Sequence, residues 1–219
     1  MDDDARDTDR LAKASLAAGD PTGWFERLYA EAEQGTAEVP WDRPAATPLL
    51  SEWAAETRVS GAGRRALVVG CGLGRDAEFV AALGFATTAF DISETAVRVA
   101  RERHPHSLVR YVVADLLDPP ASWQGHFDLV VESNNVQALP RALRDRAIAS
   151  VGTLVAPGGT LLVRAAKVDE PSDDGPPWPL TRDEVESFAG DGLDAASIDE
   201  FPAADDPFSA RWRAVFTAR

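Results

Sequence analysis

Apolar positions along the chain follow two alternating patterns. Short unbroken runs at 66–69, 85–90, 108–114, 127–131 and 160–165 are bounded by glycine, proline or acidic residues. Runs of this kind predict strands buried on both faces of a parallel sheet. Between them apolar residues return every three or four positions. Ala77, Val80, Ala81 and Leu83 follow Gly74; Val97 and Ala100 lie within 93–103; Leu143, Ala147, Val151 and Val155 lie within 139–155. That spacing predicts helices with one buried face. Gly84 stands where a left-handed cap would end the first helix, and Asp76 in its first turn suits the positive end of the helix dipole. Residues 156–159, Ala-Pro-Gly-Gly, read as a turn into the fifth strand. The last third changes character. A loop over 169–179, rich in Pro, Asp and Gly, precedes a helix capped by Thr181 and running through Val185 and Phe188. Runs at 193–201 and 211–217 then predict two strands joined by a loop at 202–209. The fold class is α/β: a doubly wound, mostly parallel seven-stranded sheet with an antiparallel C-terminal strand and helices on both faces.

The N-terminal region lacks strand patterning. Residues 1–9 are dominated by Asp, and the first of them are expected to be disordered. Leu11, Ala14, Leu16 and Ala17, then Trp24, Phe25, Leu28 and Tyr29, predict two short helices broken around Gly19-Asp20-Pro21. Three prolines in 40–50 make that stretch a shaped loop leading into a helix through Leu50, Trp53 and Ala54. Trp24, Phe25, Tyr29 and Trp41 are either ordinary packing or a cover over the open end of the sheet. The organisation expected is a helical, aromatic segment over 1–60 and an α/β domain over 61–219, together one globular unit.

Composition narrows the partners. A net charge of −14 argues against nucleic acid and anionic membranes, which require a basic patch. The single cysteine excludes an internal disulfide and a cysteine-rich zinc site; no metal is expected. Cys71 lies inside a glycine turn with no base paired to it in sequence, which favours packing over nucleophilic chemistry. No run has the length of a membrane span and the N-terminus is acidic. The expectation is a cytoplasmic protein, monomeric or weakly dimeric, acting on a small molecule.

The chemistry concentrates after the first strand, where Gly70, Gly72 and Gly74 alternate with Cys71 and Leu73. Glycine accepts positive φ and lets a ligand approach bare backbone. The spacing Gly-x-Gly-x-Gly departs from the dinucleotide fingerprint, and no lysine–serine pair builds a phosphate loop. Asp91, 21 residues after Gly70 at the end of the second strand, occupies the place of an acid that accepts from ribose hydroxyls. Capping the next helix is the alternative, but Ser93 is the better cap. In open α/β sheets ligands lie beyond the carboxyl ends of the strands, where Gly70, Asp91, Asp115 and Glu132 emerge. Acidic and bare-backbone strand ends suit a cationic nucleoside better than a phosphorylated one.

Residues VVGCGLGRD, the Asp91 strand end, Asp115-Leu116, FDLVVE and LVAPGGTLLV resemble the Rossmann-like class I S-adenosylmethionine-dependent methyltransferases over roughly 67–163. The GCGLGRDAEFVAALG stretch, the PWDRP segment and Gly175-Pro176-Pro177-Trp178 look most like the branch of thiopurine, thiol and tellurite-resistance methyltransferases. The resemblance implies S-adenosylmethionine as cofactor, with the Gly70, Cys71, Gly72 and Gly74 backbone against its methionyl part and Asp91 on its ribose. It further implies Ile92 on the adenine, Asp115 and the Leu116 amide at the adenine edge, and Glu132 facing the amino group or the acceptor. A purely structural Glu132 stays open. Trp24, Trp41 and Trp178 would border the acceptor, and Asn134 and Asn135 would orient it unless they serve the turn. A thiol acceptor needs little beyond alignment and exclusion of water. An oxygen or nitrogen acceptor needs a base, for which His126, Glu132 and Glu200 are the candidates. The implied activity is methyl transfer to a small molecule, with a thiol as one acceptor class and an oxygen or nitrogen of a metabolite as the alternative. A non-catalytic S-adenosylmethionine-binding module is the alternative from another class.

Overall fold

The computed structural model describes residues 3–172, 175–190, 192–202 and 210–219, with side chains from Asp7 onward. The strands are β1 (Arg65–Val68), β2 (Ala86–Asp91), β3 (Arg110–Val113), β4 (Phe127–Ser133), β5 (Val155–Ala166), β6 (Leu193–Phe201) and β7 (Arg211–Ala218). They form one seven-stranded sheet in the order β3-β2-β1-β4-β5-β7-β6. Pairing is parallel from β3 to β5, and β7 is antiparallel to both β5 and β6. The helices are α1 (Asp3–Ala17), α2 (Gly23–Glu33), α3 (Pro48–Thr57), α4 (Arg75–Ala82), α5 (Glu94–Arg103), α6 (Arg141–Thr153) and α7 (Arg182–Glu186).

Alternation along β1 divides the core. Leu67 and Val69 join β4 and β5 residues against Ile148 and Val151 of α6 and Val185 of α7. Ala66 and Val68 face the other way, onto Trp53 of α3, Val80 of α4 and Val97 of α5. One strand thus supplies both hydrophobic layers, as a two-residue period with helices on each face requires. Leu11, Ala12, Trp24 and Leu28 of α1 and α2 make a third, smaller cluster. Although α3 precedes residue 61, it packs in the layer of α4 and α5.

Several sequence expectations shift. The acidic start is helical from Asp3; residues 1 and 2 lie outside the described residues. The third strand begins at Arg110, not at 108, and Leu108 is 95% exposed. Val155 is not the last turn of α6 but the start of β5. The 156–159 segment is an irregularity within that strand: Phe127 pairs with Val155, and Leu129 next pairs with Thr160. The β4 ladder captures backbone that the local Pro-Gly-Gly chemistry assigns to a free turn. The expected loop at 202–209 lies outside the described residues after Pro202.

Candidate functional site

The strand order reverses between β1 and β4, leaving a crevice beyond their carboxyl ends. The glycine turn is fastened on both sides: Val69 N–H donates to Val131 O (2.9 Å) and Cys71 N–H to Phe90 O (2.8 Å). Gly70 and Gly72 have φ of 52° and 51°, in the region that favours glycine. A Cβ on Gly70 would also lie 1.7 Å from Asn135 Oδ1. Asn135 explains that crowding. Its Nδ2 donates to Val69 O (2.8 Å) and Ser133 O (3.1 Å), tying the end of β1 to the end of β4.

Asp91 ends β2 buried beside the turn. One carboxylate oxygen accepts from Gly72 N–H (2.8 Å), the other from Ser93 N–H (3.0 Å), and lone pairs remain on each. Burial raises its pKa, and the amides of Ser93, Gly72 and Ile92 oppose that rise. Ser93 caps α5, accepting from Ala96 N–H. Asp115, after β3, accepts from Leu117 N–H (2.8 Å).

The N-terminal segments close over this strand-end floor through side-chain hydrogen bonds. Glu26 of α2 accepts from Ser93 Oγ (2.6 Å), Thr95 N–H (3.1 Å) and Thr95 Oγ1 (2.6 Å), which pins α2 to the first turn of α5. Burial raises the Glu26 pKa, but these donors outweigh it and the net shift is downward. Trp41 Nε1 donates to the Tyr29 hydroxyl (2.8 Å). Asp76 accepts from Thr47 N–H (2.8 Å), Thr47 Oγ1 (2.7 Å) and Arg75 Nε (3.1 Å). Arg75 also donates to Trp41 O (3.3 Å) and Thr47 Oγ1 (3.0 Å). The Arg-Asp pair after the glycine turn therefore lashes the proline-rich loop to α4.

Floor and cover enclose a cavity of about 870 Å³, within the range of small-molecule sites. Gly70, Cys71, Gly72, Asp91, Ile92, Asp115 and Leu116 all line it, as do Trp24, Trp41, Asn134 and Asn135. Half-buried Cys71 is pushed well above the usual thiol range, by desolvation first and Asp91 second, so it stays a protonated thiol.

Other expected residues do not reach the cavity. Gly74 lies outside its lining; a Cβ there would come within 2.4 Å of the Tyr111 hydroxyl, so this glycine makes room for packing. Glu132 points away from the cavity. Its Oε1 accepts from Asn135 N–H (2.6 Å) and Val136 N–H (3.0 Å), holding the backbone after β4, and burial raises its pKa to about 7. His126 precedes β4, at the far end from the strand carboxyl ends, against Arg65. Glu200 sits on β6 and pairs with Lys167 (3.1 Å). Trp178 is buried, its N–H donating to Gln137 O (2.7 Å) and its carbonyl accepting from Arg144; Pro176 and Pro177 reach the cavity in its place. Side-chain direction separates these groups from the site, and sequence spacing does not reveal it. Glu26, Thr47 and Gln137 escaped the sequence reading; their partners are remote in sequence, and no local motif marks them.

No helix of the described residues is long and apolar enough to cross a membrane, and no group of three or more His, Cys, Asp or Glu among them is placed to hold a metal ion. Residues 66–159 match the family described as a methyltransferase domain. A ubiquinone biosynthesis O-methyltransferase of Thiobacillus denitrificans is 35% identical over 114 residues, 51% of this chain and 48% of that protein. The chain thus spans about half the length of the O-methyltransferases it matches. A probable thiol methyltransferase 2 of Arabidopsis thaliana is 29% identical over 184 residues, 80% of each chain. Among solved structures, the N-methyltransferase NodS of Bradyrhizobium japonicum, in complex with S-adenosyl-L-homocysteine, superposes with a TM-score of 0.66 at 17% identity, covering 88% of this chain and 98% of its own.

Proposed function

We propose that this chain, whose residues 66–159 match the methyltransferase-domain family, is a class I S-adenosylmethionine-dependent methyltransferase that transfers a methyl group from that cofactor to a small-molecule thiol or thiolate. The residues present fit the cofactor on three counts. Asp91 keeps acceptor capacity on each oxygen beside the Gly70–Gly72 backbone, matching a ribose diol. The buried Asn134 Oδ1, on a residue lining the cavity, has no donor among the described residues, and an ammonium group would satisfy it. Arg75, which follows the turn and lines the cavity, is engaged by Asp76, Trp41 O and Thr47 Oγ1, and no lysine–serine pair supplies a phosphate loop. When bound, the cofactor supplies an electrophilic methyl group on a sulfonium.

The chain's own part is to bind, align and exclude water. Asp91 and the glycine turn hold the nucleoside end, Ile92 and Leu116 pack beside it, and the N-terminal segment up to Thr47 serves as the cover. The observation that carries the thiol reading is the wall supplied by residues 133–135, 137–139 and 176–177. It offers amides, a hydroxyl and apolar groups, but no side chain that exchanges a proton near neutral pH. Elsewhere in the lining, Asp76 is engaged by Thr47 and Arg75, the free lone pairs of Asp91 are assigned to the ribose, and His104 stands beside Gly74 at the turn. Glu132, His126 and Glu200 are off the wall. An acceptor that ionises by itself needs no base there.

The test presents alkyl and aryl thiols, with phenols and amines of matched size, to the purified protein and S-adenosylmethionine. Turnover of thiols, with a pH profile that moves with the acceptor's own pKa, is expected. Turnover of phenols or amines alone overturns the thiol reading and leaves the methyltransferase standing. Cofactor binding without turnover on the whole panel favours a non-catalytic module, and no calorimetric binding of S-adenosylhomocysteine by the folded chain removes the cofactor assignment.

A further inference from the structure

Among the described residues the Tyr29 hydroxyl proton has no acceptor. The hydroxyl oxygen accepts from Trp41 Nε1. The ring is buried on α2, and the hydroxyl lies in the cavity over the glycine turn, where a Cβ on Gly72 would come within 2.8 Å of it. Burial, then the Asp91 charge, holds the phenol well above its usual range, so it remains a donor. A buried donor left unpaired is uncommon in folded proteins and unfavourable. Asp91 acts on it through its charge alone: no hydrogen bond joins the two among the described residues.

Resting on the S-adenosylmethionine reading of the cavity, we infer that the Tyr29 hydroxyl donates to the amino-acid carboxylate of the bound cofactor and that Glu26 is the positioning residue that holds it there. The chemistry selects the carboxylate. Ribose hydroxyls are donors as well as acceptors and match Asp91, while an ammonium group has only protons to offer. A carboxylate is the charged acceptor, and a buried O–H meets it with a charge-assisted bond. Glu26 lies one helical turn before Tyr29, on the same side of α2. Its bonds to Ser93 and Thr95 fix that turn to the N-terminus of α5, where the first-turn amides and the helix dipole hold the Glu26 carboxylate. The floor's Asp91 and the cover's Tyr29 thereby grip opposite parts of one ligand.

The experiment compares two ligands by calorimetry: S-adenosylhomocysteine and its decarboxylated analogue, which lacks only the carboxylate. Tyr29→Phe is expected to weaken S-adenosylhomocysteine about tenfold or more and to leave the analogue within about twofold, so that the wild-type preference between them collapses. Glu26→Ala shows the same selective loss at smaller size, and Glu26→Gln, which keeps an acceptor for Ser93 and Thr95, restores most of it. The Glu26 series carries the same comparison if Tyr29→Phe proves unstable in a thermal melt. Equal weakening of both ligands, or of neither, overturns the assignment of Tyr29. A wild-type protein that binds neither ligand overturns the cofactor reading beneath it.

Discussion

The floor of the cavity and its cover are held in place by different means. On the floor, backbone does most of the positioning: sheet ladders place the strand ends, Gly70 and Gly72 turn at positive φ, and Asp91 takes its orientation from two amides. The cover contributes no strand. It is held by a few side-chain bonds between segments far apart in sequence, Glu26 to Ser93 and Thr95, and Thr47 to Asp76. Changes to the floor should therefore act on the ligand, whereas changes to the cover should act on order and access.

Asp91→Ala gives the largest effect and the sharpest test of the floor. Losing charged acceptors at the ribose end should weaken S-adenosylhomocysteine on the order of a hundredfold in calorimetry. An unchanged affinity would contradict the ribose role. Asp76→Ala tests the cover. It leaves Thr47 N–H, Thr47 Oγ1 and Arg75 Nε without their acceptor, which should cost roughly 2 to 3 kcal/mol in denaturant unfolding and quicken proteolysis within 40–47. Resistance equal to wild type would mean that the loop does not depend on this tether. The smallest effect is a pH dependence centred on Glu132. Its carboxyl rises from 4.5 to about 7 on folding, so the folded chain keeps a proton that the unfolded chain releases. Its contribution is complete below about pH 4.5 and is lost as pH climbs to about 7. Glu132→Gln does not titrate; at pH 8 it should unfold later than wild type, by roughly 1 to 2 kcal/mol, with a flatter stability profile between those limits. A variant that tracks wild type across the window would remove Glu132 as the source.

This contrast also explains what the sequence revealed. The strand–helix order, the glycine turn and Asp91 were legible because each follows from short-range spacing: a two-residue period, a 3.6-residue period, or a fixed offset along one strand–turn–helix unit. Glu132 misled because the end of β4 lies at the site, while the direction of a side chain there depends on which backbone amides it can satisfy. Trp178 misled in the same way, since its neighbours Pro176 and Pro177 face the cavity and it does not. Val155 was drawn into β5 by pairing with Phe127, a tertiary gain that helical periodicity cannot register. Glu26 was unreadable because its partners stand 67 and 69 residues away.

The clamp between Asn135 and the end of β1 has a consequence for redesign. By bonding Val69 O and Ser133 O at once, and by filling the space a Gly70 side chain would need, it sets the width of the crevice independently of whatever lies in it. A mutational library meant to enlarge or reshape the range of acceptors therefore gains nothing at 70–72 or 134–135, where almost every change would disturb the frame. Variation belongs at 43–46 and at 176–177, where loops border the same space without holding the sheet together.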